Sequence, residues 1–88
     1  MKLIQNLAEW HALRSDIPNH ARIGFVPTMG NLHRGHQSLF ERSIRENDLS
    51  VASIFINPTQ FNREDDFINY PKTLSEDLDL LDSLGVDY

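Results

Sequence analysis

Apolar positions change their spacing several times along this chain, and each change marks an element. Leu3, Leu7 and Trp10 follow helical spacing with Arg14, and Leu13 adds to the same side, so a short amphipathic helix is predicted at the start, ended by Pro18. Arg22-Ile23-Gly24-Phe25-Val26 is a short apolar run closed by Pro27, the pattern of a buried strand. From near His36, the positions Leu39, Phe40 and Ile44 return to helical spacing, with Arg42, Arg45 and Glu46 outward and Asn47-Asp48 as the break. Residues 49–56 then carry Val51, Ala52, Ile54, Phe55 and Ile56 almost without interruption, as in a central parallel strand covered on both faces. Residues 62–70 are polar and acidic and predict a solvated loop. Thr73-Leu74-Ser75-Glu76 fits a capping box, and Leu74, Leu78 and Leu81, joined by Leu80 and Leu84, supply the apolar face of a last helix stopped by Gly85. Val86-Asp87-Tyr88 resembles the opening of a third strand.

Strand, crossover helix and strand make a right-handed βαβ unit, so the fold class predicted is α/β with a parallel sheet. Both strands then point their carboxyl ends to one sheet edge, where open α/β sheets bind ligands. No repeat, low-complexity segment or interdomain linker interrupts the chain. A sheet this small is too little to close a substrate pocket, and the expectation is a piece of something larger, truncated after about two strands and three helices.

The stretch at that edge is Pro27-Thr28-Met29-Gly30-Asn31-Leu32-His33-Arg34-Gly35-His36. The first amides of a helix lack partners within it and sit at the positive end of the helix dipole, which favours an anion such as phosphate. Gly30 and Gly35 let the backbone approach a ligand closely. His33 and His36, three apart, reach one side of a helical turn, and either imidazole can donate to a phosphate oxygen. The same spacing also fits ordinary capping or surface histidines, and the position after a strand with flanking glycines favours the phosphate reading. Zinc is the weaker rival, because the chain has no cysteine and no third ligand lies near in sequence. Asn57 and Gln60, after the second strand, can each donate and accept and so orient a substrate; Asn57-Pro58 is equally a turn opener. Trp10, beside His11, is read as a core aromatic.

Composition narrows the partners. Eighty-eight residues make at most one small domain of marginal stability. A net charge of −5, with only eight Lys and Arg residues and those scattered, argues against a nucleic-acid or membrane-surface role. Residues 1–13 have no signal-peptide core, nothing later approaches a membrane span, and the absence of cysteine permits a reducing compartment, so a cytoplasmic protein is expected.

The runs Val26-Pro27-Thr28-Met29-Gly30-Asn31-Leu32-His33-Arg34-Gly35-His36, Ser53-Ile54-Phe55-Ile56-Asn57-Pro58-Thr59-Gln60-Phe61, Glu64-Asp65-Asp66-Phe67 and Tyr70-Pro71-Lys72-Thr73-Leu74 together resemble the N-terminal part of the pantothenate synthetase (pantoate–β-alanine ligase) family. The likeness runs from about Arg22 to Tyr88. His-x-Gly-His alone marks only the wider Rossmann-like nucleotidyltransferase superfamily; the combination with Asn-Pro-Thr-Gln-Phe and Tyr-Pro-Lys-Thr-Leu is far more specific.

The resemblance implies a two-step reaction in which ATP and pantoate give pantoyl adenylate and pyrophosphate with magnesium assisting, after which β-alanine attacks the acyl group and AMP leaves. By analogy Met29, Gly30, Asn31, Leu32, His33, Arg34, Gly35 and His36 line the ATP phosphates and His36 is the proton donor, with His33 beside it as a second catalytic candidate. Gln60 binds pantoate, with Asn57, Pro27 and Thr28 as further substrate contacts. A homodimer is implied for the full-length family member. Family members are substantially longer, and their later segments add lysine, serine, arginine, glutamine and aspartate side chains to the site, so synthesis by these residues alone is not expected. Lys72, where arginine is common, and the acidic stretch 62–66 are milder departures. Two other classes stand as alternatives: a different adenylyl-transferring enzyme of the same superfamily, and a non-catalytic module that pairs through its sheet edge.

Overall fold

In the computed structural model, which describes residues 1–88, the chain runs α1 (Leu7–Asp16), β1 (Ile23–Thr28), α2 (Arg34–Glu46), β2 (Leu49–Ile54), a 3-10 turn (Pro58–Gln60), α3 (Glu64–Ile68) and α4 (Leu74–Leu84). The strands pair in parallel with Ile23 opposite Leu49 and Thr28 opposite Ile54. Their ends are level, so residues 29–36 and 55–60 leave from one edge of the sheet.

The alternation of side chains decides which strand residues meet the helices. Val26, Ala52 and Ile54 pack with Leu32, Ile44 and Leu84 around Phe40, Leu81 and Val86, which are 0%, 2% and 2% exposed. Gly24 and the buried Ser43 and Ser50 lie on the same side, where α2 comes so close to β1 that a Cβ on Gly24 would run into Ser43 Oγ. The hydroxyls of Ser43 and Ser50 satisfy each other at 2.7 Å. On the opposite side Phe25, Val51 and Phe55 line an apolar groove with α1 and the N-terminal residues, and Phe25 and Phe55 are exposed. The coverage of both faces expected for β2 is therefore realised on one.

Several boundaries differ from the pattern reading, each for a local reason. α1 starts at Leu7 rather than at Leu3, because the Asn6 side chain caps it there, accepting from the Glu9 N–H at 2.8 Å and donating to the Glu9 carboxylate at 2.9 Å. Lys2 instead donates its N–H to the Asp87 carbonyl at 2.9 Å. β1 does not stop at Val26. The Thr28 carbonyl accepts from Phe55 N–H, so by alternation the side of Pro27 that lacks an N–H faces away from β2 and breaks no ladder bond. Leu39 points outward, and the inward stripe of α2 is Phe40, Ser43 and Ile44.

The stretch expected as a plain loop contains α3, whose first turn carries Glu64, Asp65 and Asp66 at the end of the helix that favours negative charge. Phe61 meets Phe67 and Tyr70 edge-on at 5.6 and 5.4 Å between ring centroids and ties this segment together. The capping box predicted at Thr73 does not form; its hydroxyl donates to Asp77 instead, at 2.9 Å. α4 ends at Gly85 as expected, with a left-handed φ of 95°. Residues 86–88 lie along β2 on the side opposite β1, with Asp87 and Tyr88 N–H groups donating to the Ser50 carbonyl and Ala52 N–H to the Tyr88 carbonyl. No helix is long and apolar enough to cross a membrane.

With so few apolar side chains fully buried, Phe40 carries a disproportionate share of the core. Phe40→Ala is expected to remove about 3–5 kcal/mol, whereas Leu39→Ala, one position along on the exposed side, is expected to change stability by less than about 1 kcal/mol. Denaturant titration followed by circular dichroism separates the two.

Candidate active site

At the end of β1 the Thr28 hydroxyl donates to the Ser53 carbonyl at 2.9 Å and accepts from the Gly30 N–H at 3.1 Å, locking the two strand ends together. Gly30 and Asn31 then take positive φ values of 79° and 51° in succession, a conformation that suits glycine and that asparagine tolerates better than most. This turn directs the next two amides inward. Asn31 N–H donates to Asp77 Oδ2 at 2.9 Å and Leu32 N–H to Oδ1 at 3.0 Å, and the Leu32 side chain enters the core.

His33 lies just outside α2 as its N-cap, not on its surface. Its Nδ1 accepts from Gly35 N–H at 3.0 Å, and His36 Nδ1 accepts from His33 N–H at 3.1 Å. The two rings are in contact, 4.1 Å between centroids, with their planes tilted by 46°. A nitrogen that accepts carries no proton, so both rings are neutral with the proton on Nε2. That leaves Nε2–H as the donor each ring can offer. His36 is held below the ordinary imidazole value of 6.5, first by burial and then by His33, with Asp77 acting in the opposite direction.

His36 joins Pro27, Thr28, Met29 and Gly30 on one wall of a cleft of about 400 Å³; Ser53, Phe55, Asn57, Gln60 and Tyr70 complete it. Asn57 Oδ1 already accepts from Thr59 N–H at 3.0 Å and from the Thr59 hydroxyl at 2.8 Å, so the turn role and the ligand role divide between its two ends, with Nδ2 left for a ligand. Gln60 is exposed at the end of the 3-10 turn. Tyr70 reaches the Gly30 carbonyl with its hydroxyl at 3.4 Å.

Seven of the residues singled out from sequence thus meet in one cleft: Pro27, Thr28, Met29, Gly30, His36, Asn57 and Gln60. Asn31, Leu32, His33, Arg34 and Gly35 do not line it. The open backbone donors expected there are correspondingly fewer, since the amides of Asn31 and Leu32 are turned to Asp77 and those of His33 and Gly35 to the imidazoles. Tyr70, Ser53 and Phe55 are cleft residues that the sequence reading passed over, and so is Asp77 behind the turn. Asp77 had a signal: it lies three residues after Leu74 and four before Leu81, on the apolar stripe, where an acidic side chain requires a partner. No group of three or more His, Asp or Glu side chains converges to hold a metal ion.

A sequence model described as Pantoate-beta-alanine ligase matches residues 2–88. A pantothenate synthetase of Coxiella burnetii (strain Dugway 5J108-111) is 54% identical over 87 residues, covering 99% of this chain and 34% of that protein. One from Legionella pneumophila (strain Lens) is 49% identical over 88 residues, covering 100% of this chain and 35% of its own length. The chain spans about a third of the length of these curated relatives. Among solved structures, a pantoate-beta-alanine ligase from Francisella tularensis, complexed with beta-gamma ATP and beta-alanine, superposes with a TM-score of 0.92 at 46% identity, over 96% of this chain and 32% of that one. Pantothenate synthetase from Thermus thermophilus superposes with a TM-score of 0.85 at 48% identity, over 99% of this chain and 30% of that one. With nearly every residue matched, and with a parallel α/β layout that is part of the Rossmann-like fold of these structures, the chain belongs to the pantoate–β-alanine ligase family.

Proposed function

We propose that this chain is the N-terminal part of the nucleotide-binding domain of an ATP-dependent ligase that joins pantoate to β-alanine, the relatives' remaining length corresponding to the rest of that domain and a C-terminal domain. In the first step a pantoate carboxylate oxygen attacks the α-phosphorus of ATP, the bond to pyrophosphate breaks, and pantoyl adenylate forms. In the second the β-alanine amine attacks the acyl carbon and AMP leaves with the bonding electron pair. Two anions meet in the first step, so donors must be aimed at the phosphate where charge builds.

The observation that carries this reading is the pairing across the cleft of a neutral His36, its Nε2–H available as a donor, with the carboxamides of Asn57 and Gln60. His36 donates to the phosphate and is the candidate proton donor. His33 holds it in place by the contact of its tilted ring and by the bond from its own amide. Gln60, with Asn57 Nδ2 beside it, reads the hydroxyl and carboxylate of pantoate, and Pro27, Thr28 and Met29 form the wall behind them. Arg34, exposed at the start of α2, adds positive charge near the rim. Magnesium belongs to the reading through the family resemblance, but these residues offer it no converging donor set and no step is assigned to it. A cytoplasmic location and, for the whole ligase, a homodimer rest on the same resemblance.

The first test follows the imidazole NMR signals of the chain as ATP is added. Signals of His33 and His36 should move and saturate while those of His11 and His20 stay put, and pantoate should then shift them further. A response to ATP that pantoate leaves unaltered would point to another adenylyl-transferring enzyme. Gln60→Ala should abolish the pantoate response and leave that to ATP intact. Pantothenate formation by the 88 residues alone should be undetectable, and clear turnover would overturn the assignment of essential groups to the relatives' additional length.

Acid should weaken the fold through His36. Its value when folded lies below 6.5, so the unfolded chain binds more protons across that interval; the contribution is complete above pH 6.5 and is lost as pH falls through 6.5 to the folded value. Thermal melts from neutral to mildly acidic pH should show this decline, and His36→Ala should flatten it.

A further inference from the structure

A buried carboxylate behind a phosphate-handling turn is an unexpected choice of charge, since it opposes the anion the turn is meant to receive. Asp77 is only 4% exposed, and both its oxygens are engaged: Oδ1 by Leu32 N–H at 3.0 Å, Oδ2 by Asn31 N–H at 2.9 Å and by the Thr73 hydroxyl at 2.9 Å. Successive N–H groups in a left-handed turn form a concavity that binds anions. Here the protein's own carboxylate fills it. A Cβ on Gly30 would stand 3.1 Å from Asp77 Oδ2 and 3.2 Å from Ile54 Cγ2, so the turn is pressed against both α4 and β2.

The placement has consequences in both directions along the chain. Gly30 takes its positive φ freely, whereas that of Asn31 is unfavourable for a free chain and is held by the bonds to Asp77. Immediately after those bonds begins the capping arrangement: Leu32 is delivered to the core, His33 to the start of α2, and His36 to the cleft wall. Removing the acceptor would leave two inward-facing amides without partners, and the turn would have to reopen to reach water.

We propose that Asp77 is a positioning residue of the cleft, its carboxylate acting as the fixed anion around which the turn from β1 to α2 is folded, so that it sets where His33 and His36 stand. The function it serves rests on the reading of the cleft as an ATP site; the brace itself does not. The charged or titratable groups facing His36 are His33 at the start of α2, Asp77 from α4 and Tyr70 after α3.

The test compares the chain with its Asp77→Asn and Thr73→Val variants by 1H–15N NMR. Asp77→Asn keeps the shape but replaces one acceptor oxygen with a donor that faces another donor. The amide signals of Asn31 and Leu32 should shift strongly, the His36 titration midpoint should fall because the negative charge favouring its protonated form is gone, and those of His11 and His20 should stay where they were. Half-saturation by ATP should rise roughly ten-fold, the scale of one lost buried hydrogen bond. Thr73→Val, which preserves both amide bonds, should leave all of these nearly unchanged. A folded Asp77→Asn variant whose His36 midpoint and amide signals match the parent would overturn the proposal, as would equal damage from Thr73→Val. If Asp77→Asn does not fold, hydrogen exchange of the unaltered chain decides: the Asn31 and Leu32 amides should be protected together, and fast exchange of either would refute the brace. If ATP moves no signal in the unaltered chain, the nucleotide reading fails, while the amide shifts and the His36 midpoint still decide the role of Asp77.

Discussion

Two consecutive left-handed residues after a strand create a demand that cannot be met locally. Once Gly30 and Asn31 have turned the backbone, the N–H groups of Asn31 and Leu32 point into the molecule, away from water and from any ladder partner. An acceptor has to come from elsewhere, and α4 supplies it from far along the chain. The packing of α4 against α2 through Leu81 and Phe40 is what brings that acceptor within reach. Core, turn and cleft are therefore one construction: the apolar contacts place Asp77, Asp77 shapes the turn, and the turn presents the histidines.

The histidines are as much structural as chemical. Each Nδ1 is committed to a backbone amide at the start of α2, so the first turn of the helix and the orientation of the rings are set by the same bonds. Phosphate sites at helix starts are usually pictured as rings of open amides. Here part of that donor capacity is consumed internally: the amides of Asn31 and Leu32 go to Asp77 and those of His33 and Gly35 to the imidazoles, so that Nε2–H is the donor each ring has left.

Much of this architecture was legible in the residues. The succession of a short apolar run, a helical spacing and a second apolar run identifies the βαβ unit, and Gly85 stops α4 where its freedom at positive φ says it should. The long runs around His36, Gln60 and Tyr70 carry the family likeness that the comparisons show. What escaped were features in which two rules compete. Pro27 reads as a stop, yet its missing donor falls on the side that needs none. Thr73 reads as the cap of a box with Glu76, yet a buried carboxylate one residue further on is the better partner for its hydroxyl. Asp65 and Asp66 read as a solvated run, and they are exposed, but Phe61, Phe67 and Tyr70 fold that run over their rings. Periodicity describes an element's own face; it does not say which distant group completes a turn.

The level pairing of Thr28 with Ile54 has a consequence for how such a chain tolerates insertions and deletions. The walls of the cleft hang from neighbouring strand ends, about 4.8 Å apart, so the register of the sheet acts as a gauge that sets His36 against Gln60. One residue gained or lost within either strand would shift its end by about 3.3 Å and turn its side chains to the opposite face, exchanging the Phe55 side for the Ile54 side. Length changes in the segment joining α1 to β1 would leave the gauge untouched. Variation in chain length should accordingly be confined to the connections, with both strands and the turn between Thr28 and His33 held to a constant count.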